Sequence, residues 1–86
     1  MAKTCRWRTE PYARELPELG KFAVYDCAPY SGWVRTKRPK GGSFLWHVAA
    51  HETRRSAIGV ATSLAKAKRE IEKTIGEPSS AKWRED

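Results

Sequence analysis

The strongest pattern in the chain is a helical one near its C-terminal end. Apolar residues recur every three or four positions and fall on one helical face: Leu64, Ala67, Ile71 and Ile75. Thr62 or Ser63 provides the hydroxyl of an N-cap, and Gly76 followed by Pro78 is a typical stop signal. The sequence therefore predicts a helix over 63–75.

Three other segments alternate between apolar and polar positions, as half-buried strands do: KFAVYDC (21–27), SFLWHVAAHE (43–52) and RSAIGVAT (55–62). The last two are separated only by a short turn and predict an antiparallel hairpin. A weaker alternation near the N-terminus predicts an edge strand. The prolines and glycines of 28–42 indicate a loop, within which Trp33–Lys37 is either a short strand or an extension of the hairpin.

These elements predict an α+β protein, in which one C-terminal helix packs on one face of a three- or four-stranded antiparallel sheet. We expect an irregular N-terminal segment with a possible edge strand at 1–20, a β-β-β-α domain at 21–76 and a polar tail at 77–86. The predicted core combines the apolar strand positions with those of the helix: Phe22, Val24, Phe44, Trp46, Val48, Ile58, Val60, Leu64, Ala67, Ile71 and Ile75.

Positive charge is concentrated in one segment of the chain. The chain of 86 residues has a net charge of +7, and four of its cations lie within 31–42 with no acid among them. A focal basic segment favours an anionic partner such as DNA or RNA. Phosphate contacts are predicted from Arg35, Lys37, Arg38 and Lys40 in this loop, with Arg54 and Arg55 assisting if both turns lie at one end of the sheet. Trp33 and His47 are predicted contacts on the open face of the sheet, where Trp33 stacks on an exposed base.

The composition and the first residues of the chain also distinguish between membrane, secreted and cytoplasmic proteins. No apolar run is long enough to span a bilayer, and the first residues lack the apolar core of a secretory signal, so we expect a cytoplasmic protein without a membrane partner. Cys5 and Cys27 form neither a CxxC pair nor a zinc pattern. They are expected to be reduced, buried thiols, with a disulfide as the alternative.

Enzymatic chemistry is not expected. His47 and His51 share a face of a strand but lie about 13 Å apart, which is too far for a shared metal ion. Pairing either cysteine with a histidine supplies a nucleophile and a base but no recognisable oxyanion element. The sequence therefore predicts no catalytic residues, no metal and no cofactor.

The hairpin and helix together resemble a pattern found in small proteins of actinobacterial phages and prophages. The matching residues are Trp46, Val48, Gly59, Ala61, Ser63, Leu64, Ala67 and Lys68. The predicted topology is also similar to that of the arm-binding, AP2-like domains of tyrosine integrases. The resemblance implies a non-enzymatic phage protein in the host cytoplasm, whose sheet enters a DNA groove.

Two alternatives remain open at this point. In one, the basic segment is only a solvated loop. In the other, a phage protein inhibits an acidic host protein of the defence or growth machinery, and exposed aromatic side chains anchor the contact. The aromatic anchors for this second reading are Trp7, Tyr30, Trp33 and Trp83, and a homodimer built on the same side chains is a further possibility.

Overall fold

The structure is a computed structural model that describes residues 5–11, 15, 20–37 and 40–85. It is an α+β fold, as predicted, with one antiparallel sheet and one C-terminal helix. Five strands of six or seven residues follow one another, and a two-residue strand completes the sheet in the order β1-β2-β3-β4-β5-β6. Their bounds are β1 Arg6–Pro11, β2 Lys21–Cys27, β3 Tyr30–Arg35, β4 Phe44–Ala50, β5 Arg55–Ala61 and β6 Arg84–Glu85.

The predicted number of three or four strands was therefore too low. The weak N-terminal alternation does form an edge strand, β1. The segment 28–42, expected to be a loop with at most a short strand at Trp33–Lys37, contains the full strand β3 at Tyr30–Arg35, which leaves only 36–43 as the connection to β4. In β3 the small and apolar residues Gly32 and Val34 are buried at alternate positions. The neighbouring proline and glycines obscured that alternation.

The helix α1 covers Leu64–Gly76 and agrees with the predicted span to one residue at each end. Its N-cap is Ser63, whose Oγ accepts a hydrogen bond from the backbone N–H of Lys66 at 3.1 Å. The amphipathic pattern places Ala67, Ile71 and Ile75 against the sheet, where all three are buried. A short 3-10 turn at Pro78–Ser80 then returns the chain to β6 at the sheet edge.

The helix packs mainly over β3 and β4 and divides the sheet into a covered and an uncovered side. The helix approaches the sheet closely at Gly32, where an added Cβ would lie 2.3 Å from Cγ2 of Ile71. We call the covered side the helix face. Residues paired across strands share a face, so the register shows which side chains of each strand belong to the helix face. Its main side chains are Ala23, Tyr25, Val34, Phe44, Trp46, Val48 and Ala57.

The core differs from the predicted one at β2 and β5. Ile58 and Val60 alternate with Gly59 as expected, but they point away from the helix and are 47% and 67% exposed. Phe22 and Val24 lie on that same uncovered side, where Val24 is buried as predicted, and Ala23 instead faces the helix. Alternation showed which residues share a face. It did not show which face the helix covers.

The two cysteines are bonded to each other, contrary to the expectation of reduced thiols. The β1–β2 register pairs Arg6 with Asp26, which brings Cys5 and Cys27 directly opposite each other, with their Cα atoms 4.4 Å apart. That separation suits a disulfide between neighbouring antiparallel strands. The cysteines therefore lend no support to a reducing compartment.

Candidate nucleic-acid interface

The uncovered side of the sheet, here called the open face, has an aromatic centre. Trp33 of β3 and His47 of β4 are directly opposite each other in the register. Their rings are stacked, with centroids 5.4 Å apart and planes inclined by 11°. Both side chains are only partly buried, so the stacked pair has a surface in solvent.

A cleft of about 300 Å³ opens beside this pair, at the end of the sheet where β3 leads into the connection to β4. We call it the aromatic cleft. Its lining combines aromatic, aliphatic and basic side chains: Phe22, Trp33, Arg35, Lys37, Ser43, Phe44, Leu45 and His47. Lys37 is exposed and Arg35 is half-buried, so positive charge lies at one end of an apolar cleft.

A second cleft, of about 480 Å³, lies on the other side of Trp33 toward β1. Trp33 and Phe22 line both clefts, so the indole separates two adjoining depressions. This second cleft has a more polar lining, which includes Ser31 and His51. Ser31 Oγ and His51 Nε2 are hydrogen-bonded at 2.8 Å, and this contact orients the imidazole over the face.

The charges at the β1 side of the open face largely neutralise one another. Arg8 forms ion pairs with Asp26 and Glu10. Hydrogen bonds to Asp26, and next to Glu10, raise the pKa of the Arg8 guanidinium above its ordinary value, so it stays charged. Away from these ion pairs, the positive charge of the aromatic cleft comes from Arg35 and Lys37.

The structure brings together only part of the predicted set. Trp33, Arg35, Lys37 and His47 line one cleft. Lys40 is exposed in the same connection but does not line the cleft, and Arg38 lies outside the described residues.

Arg54 of the β4–β5 turn and Arg55, the first residue of β5, do not line the aromatic cleft. The seven residues of β4 run from the connection after β3 to the β4–β5 turn and span about 20 Å, so the two turns do not share an end of the sheet. Arg54 has a φ of 54°, in the left-handed region. Arg55 lines a third depression with Tyr30 and Trp83.

Sequence reasoning missed the apolar members of the site. Phe22 was assigned to the core, and Leu45, which is 52% exposed, was not considered. The signal that could have found Leu45 was its alternation with the buried Phe44 and Trp46. Phe22 joins the site only through the β2–β3 register, which pairs it with Arg35.

Three of the four aromatic anchors proposed for a protein partner are engaged within the fold. Trp7 donates a hydrogen bond from Nε1 to Glu72 Oε2 at 3.0 Å and lies under Lys68 of the helix. Trp83 stacks on Tyr30, with ring centroids 5.8 Å apart, and donates to the carbonyl of Pro78 at 2.6 Å. Trp33 is the member of that set on the open face.

Comparison with known proteins adds no functional information, so any functional conclusion rests on the fold and the aromatic cleft. No protein-family model, curated protein or solved structure matches the chain. Within the described part of the chain, no helix has the length and apolar character required to cross a bilayer. The described residues also contain no group of three or more histidine, cysteine or acidic side chains positioned to bind a metal ion.

Proposed function

We propose that the protein binds single-stranded nucleic acid on the open face, with the aromatic cleft as the principal site. The observation that carries the proposal is the partly exposed Trp33–His47 stack, which adjoins Arg35 and Lys37 in one cleft. Aromatic rings offer a stacking surface to an unpaired base, and nearby cations bind the phosphates on either side of it.

The shape of the face favours a single strand over a duplex. Bases in a duplex are stacked on one another and their faces are not accessible, so an exposed aromatic stack gains nothing from them. Arg35 and Lys37 lie at one end of the aromatic cleft, whereas the rest of its lining is largely aromatic and aliphatic. The two clefts that meet at Trp33 provide room for successive nucleotides on both sides of a stacked base.

Fluorescence anisotropy with a labelled oligonucleotide, single-stranded and as a duplex, tests this proposal across a salt series. We expect tighter binding of the single strand, and an affinity that falls as salt rises because counterions are released. Trp33→Ala should weaken binding by about 1–3 kcal/mol, the usual contribution of one base–aromatic stack. Unchanged far-ultraviolet circular dichroism would show that this variant is folded.

A matched pair of charge variants isolates the basic end of the cleft. Lys37→Ala should weaken binding and reduce the magnitude of the salt slope by about 0.7, the value for one phosphate contact on a single strand. Arg69→Ala removes the same charge from an exposed position of the helix and should leave the slope unchanged. Equal effects of the two variants, or no binding by the wild type at about 50 mM salt, would refute the proposal.

Binding to an acidic host protein is the second candidate. It is favoured by the aliphatic side chains on the same face, since Leu45, Ile58 and Val60 are all about half exposed or more. Exposed apolar groups of this kind mark protein interfaces. A single stoichiometric protein that is retained on the immobilised chain after nuclease treatment, and lost with Leu45→Ser, would support this candidate.

A further inference from the structure

The two edges of the sheet differ sharply in character. The β1 edge carries Arg6, Arg8, Glu10 and Pro11, and charges and proline on an edge strand discourage pairing with another chain. At the opposite edge, β6 pairs only with Arg55 and Ser56. Across residues 5–11, 20–37 and 40–85, no strand pairs with the outer side of Ala57–Ala61. That segment, AIGVA, contains neither a charge nor a proline.

A groove of about 310 Å³ runs beside this edge, between β5 and the helix. Its floor is Trp46, whose indole crosses Gly59 so closely that an added Cβ would lie 2.3 Å from Cζ2. Trp46 is 8% exposed, and its Nε1 is buried with no hydrogen-bond partner among the described residues. The edge therefore has a groove with an apolar floor and a buried indole N–H beside backbone groups that no described strand pairs with.

We propose that β5 is the interface with a second copy of this chain, joined by antiparallel β5–β5 pairing about a two-fold axis at Gly59. Such pairing is self-complementary, as a two-fold interface requires. It sets Ile58 of each copy opposite Val60 of the other, and Ala57 opposite Ala61. These apolar cross-strand pairs stabilise the added ladder, and Ile58 and Val60 are the exposed side chains in the segment.

The charges beside the edge fit the same arrangement. Lys66 and Glu70 both line the groove and are one helical turn apart on α1. A two-fold axis reverses the direction of the second helix, and an axis that passes between these two positions sets Lys66 of one copy opposite Glu70 of the other. Each chain carries a net charge of +7, so two copies repel each other overall. At this edge the strand is neutral and is flanked by charges of opposite sign, so the repulsion is weakest there.

Sedimentation equilibrium of the protein alone, from about 1 µM to about 1 mM, tests the proposal independently of nucleic acid. We expect a reversible monomer–dimer equilibrium. Val60→Lys places a charge on the pairing edge and should weaken the dimer at least tenfold (about 1.4 kcal/mol). Leu45→Lys makes the same change on the open face of β4, one strand in from the edge and directly opposite Val60, and should leave the equilibrium as it is because β4 is already paired on both sides.

Charge reversal then tests the register. Lys66→Glu should weaken the dimer, and adding Glu70→Lys to it should restore the wild-type equilibrium. A chain that stays monomeric at every concentration would overturn the proposal. So would an equal loss of association in Val60→Lys and Leu45→Lys, because the contact would then involve the face of the sheet and not its edge.

Discussion

Replacing Gly32 by alanine directly tests the packing of the helix on the sheet. The new Cβ would lie 2.3 Å from Ile71 Cγ2, whereas carbon atoms in contact are normally about 3.5–4.0 Å apart. Neither side of the contact has free space. Ile71 is completely buried, and the backbone oxygen of His47 is 3.3 Å from the new methyl group. The helix must therefore move outward or Ile71 must leave its preferred rotamer.

The expected cost follows from two opposing terms. Overpacking a core by one methyl group costs about 1–3 kcal/mol. Replacing glycine restricts the unfolded chain and returns about 0.4–1 kcal/mol. We therefore expect Gly32→Ala to lower the free energy of unfolding by about 1–2 kcal/mol, which for a domain of this size lowers Tm by about 4–16 °C.

Urea unfolding followed by circular dichroism measures this change. Gly76→Ala is the matched control, because an added Cβ at that position has no atom within 4 Å and alanine is the better helix former. It should raise stability by up to about 1 kcal/mol. Ile71→Leu removes the clashing Cγ2, so the double variant should recover about 1 kcal/mol relative to additivity. A Gly32→Ala variant as stable as the wild type, or one that shows no coupling to position 71, would refute this packing argument.

Two further predictions concern the helix cap and the disulfide. Ser63→Ala removes the hydroxyl that accepts from the Lys66 N–H and should cost about 1 kcal/mol by urea unfolding, whereas Thr62→Ala should cost less than half of that; the reverse order would show that the cap is misassigned. Reduction of Cys5–Cys27 should lower the free energy of unfolding by about 3 kcal/mol, since the two residues are 22 apart in sequence. Rapid alkylation of both thiols in the folded, non-reduced protein would contradict the disulfide.

The helix and β4 could be predicted because their signals are local. The helix has both an apolar face at the 3.6-residue period and residues that start and stop it, and β4 alternates over its whole length. β3 was not recognised as a full strand, since Gly32 has no side chain to contribute to the alternation. The missing side chain has a structural reason, because a Cβ at that position would collide with Ile71 of the helix.

The candidate site was predictable only in part for a different reason. Trp33, Arg35 and Lys37 are neighbours in sequence, so their proximity could be inferred from the strand alone. The contributions of Phe22 and Leu45 depend on the pairing register and on which face the helix covers. Both are consequences of tertiary packing. The same missing information led Ile58 and Val60 to be assigned to the core.

The central claim is that the open face, and not the helix face, binds single-stranded nucleic acid. The most direct measurement is a titration of 15N-labelled protein with an unlabelled oligonucleotide, followed by two-dimensional NMR. The indole N–H of Trp33 and the amides of His47 and Lys37 should shift, while the indole signals of Trp7 and Trp83, which pack on the helix face, should not. An unshifted Trp33, or shifts confined to Trp7 and Trp83, would contradict the account.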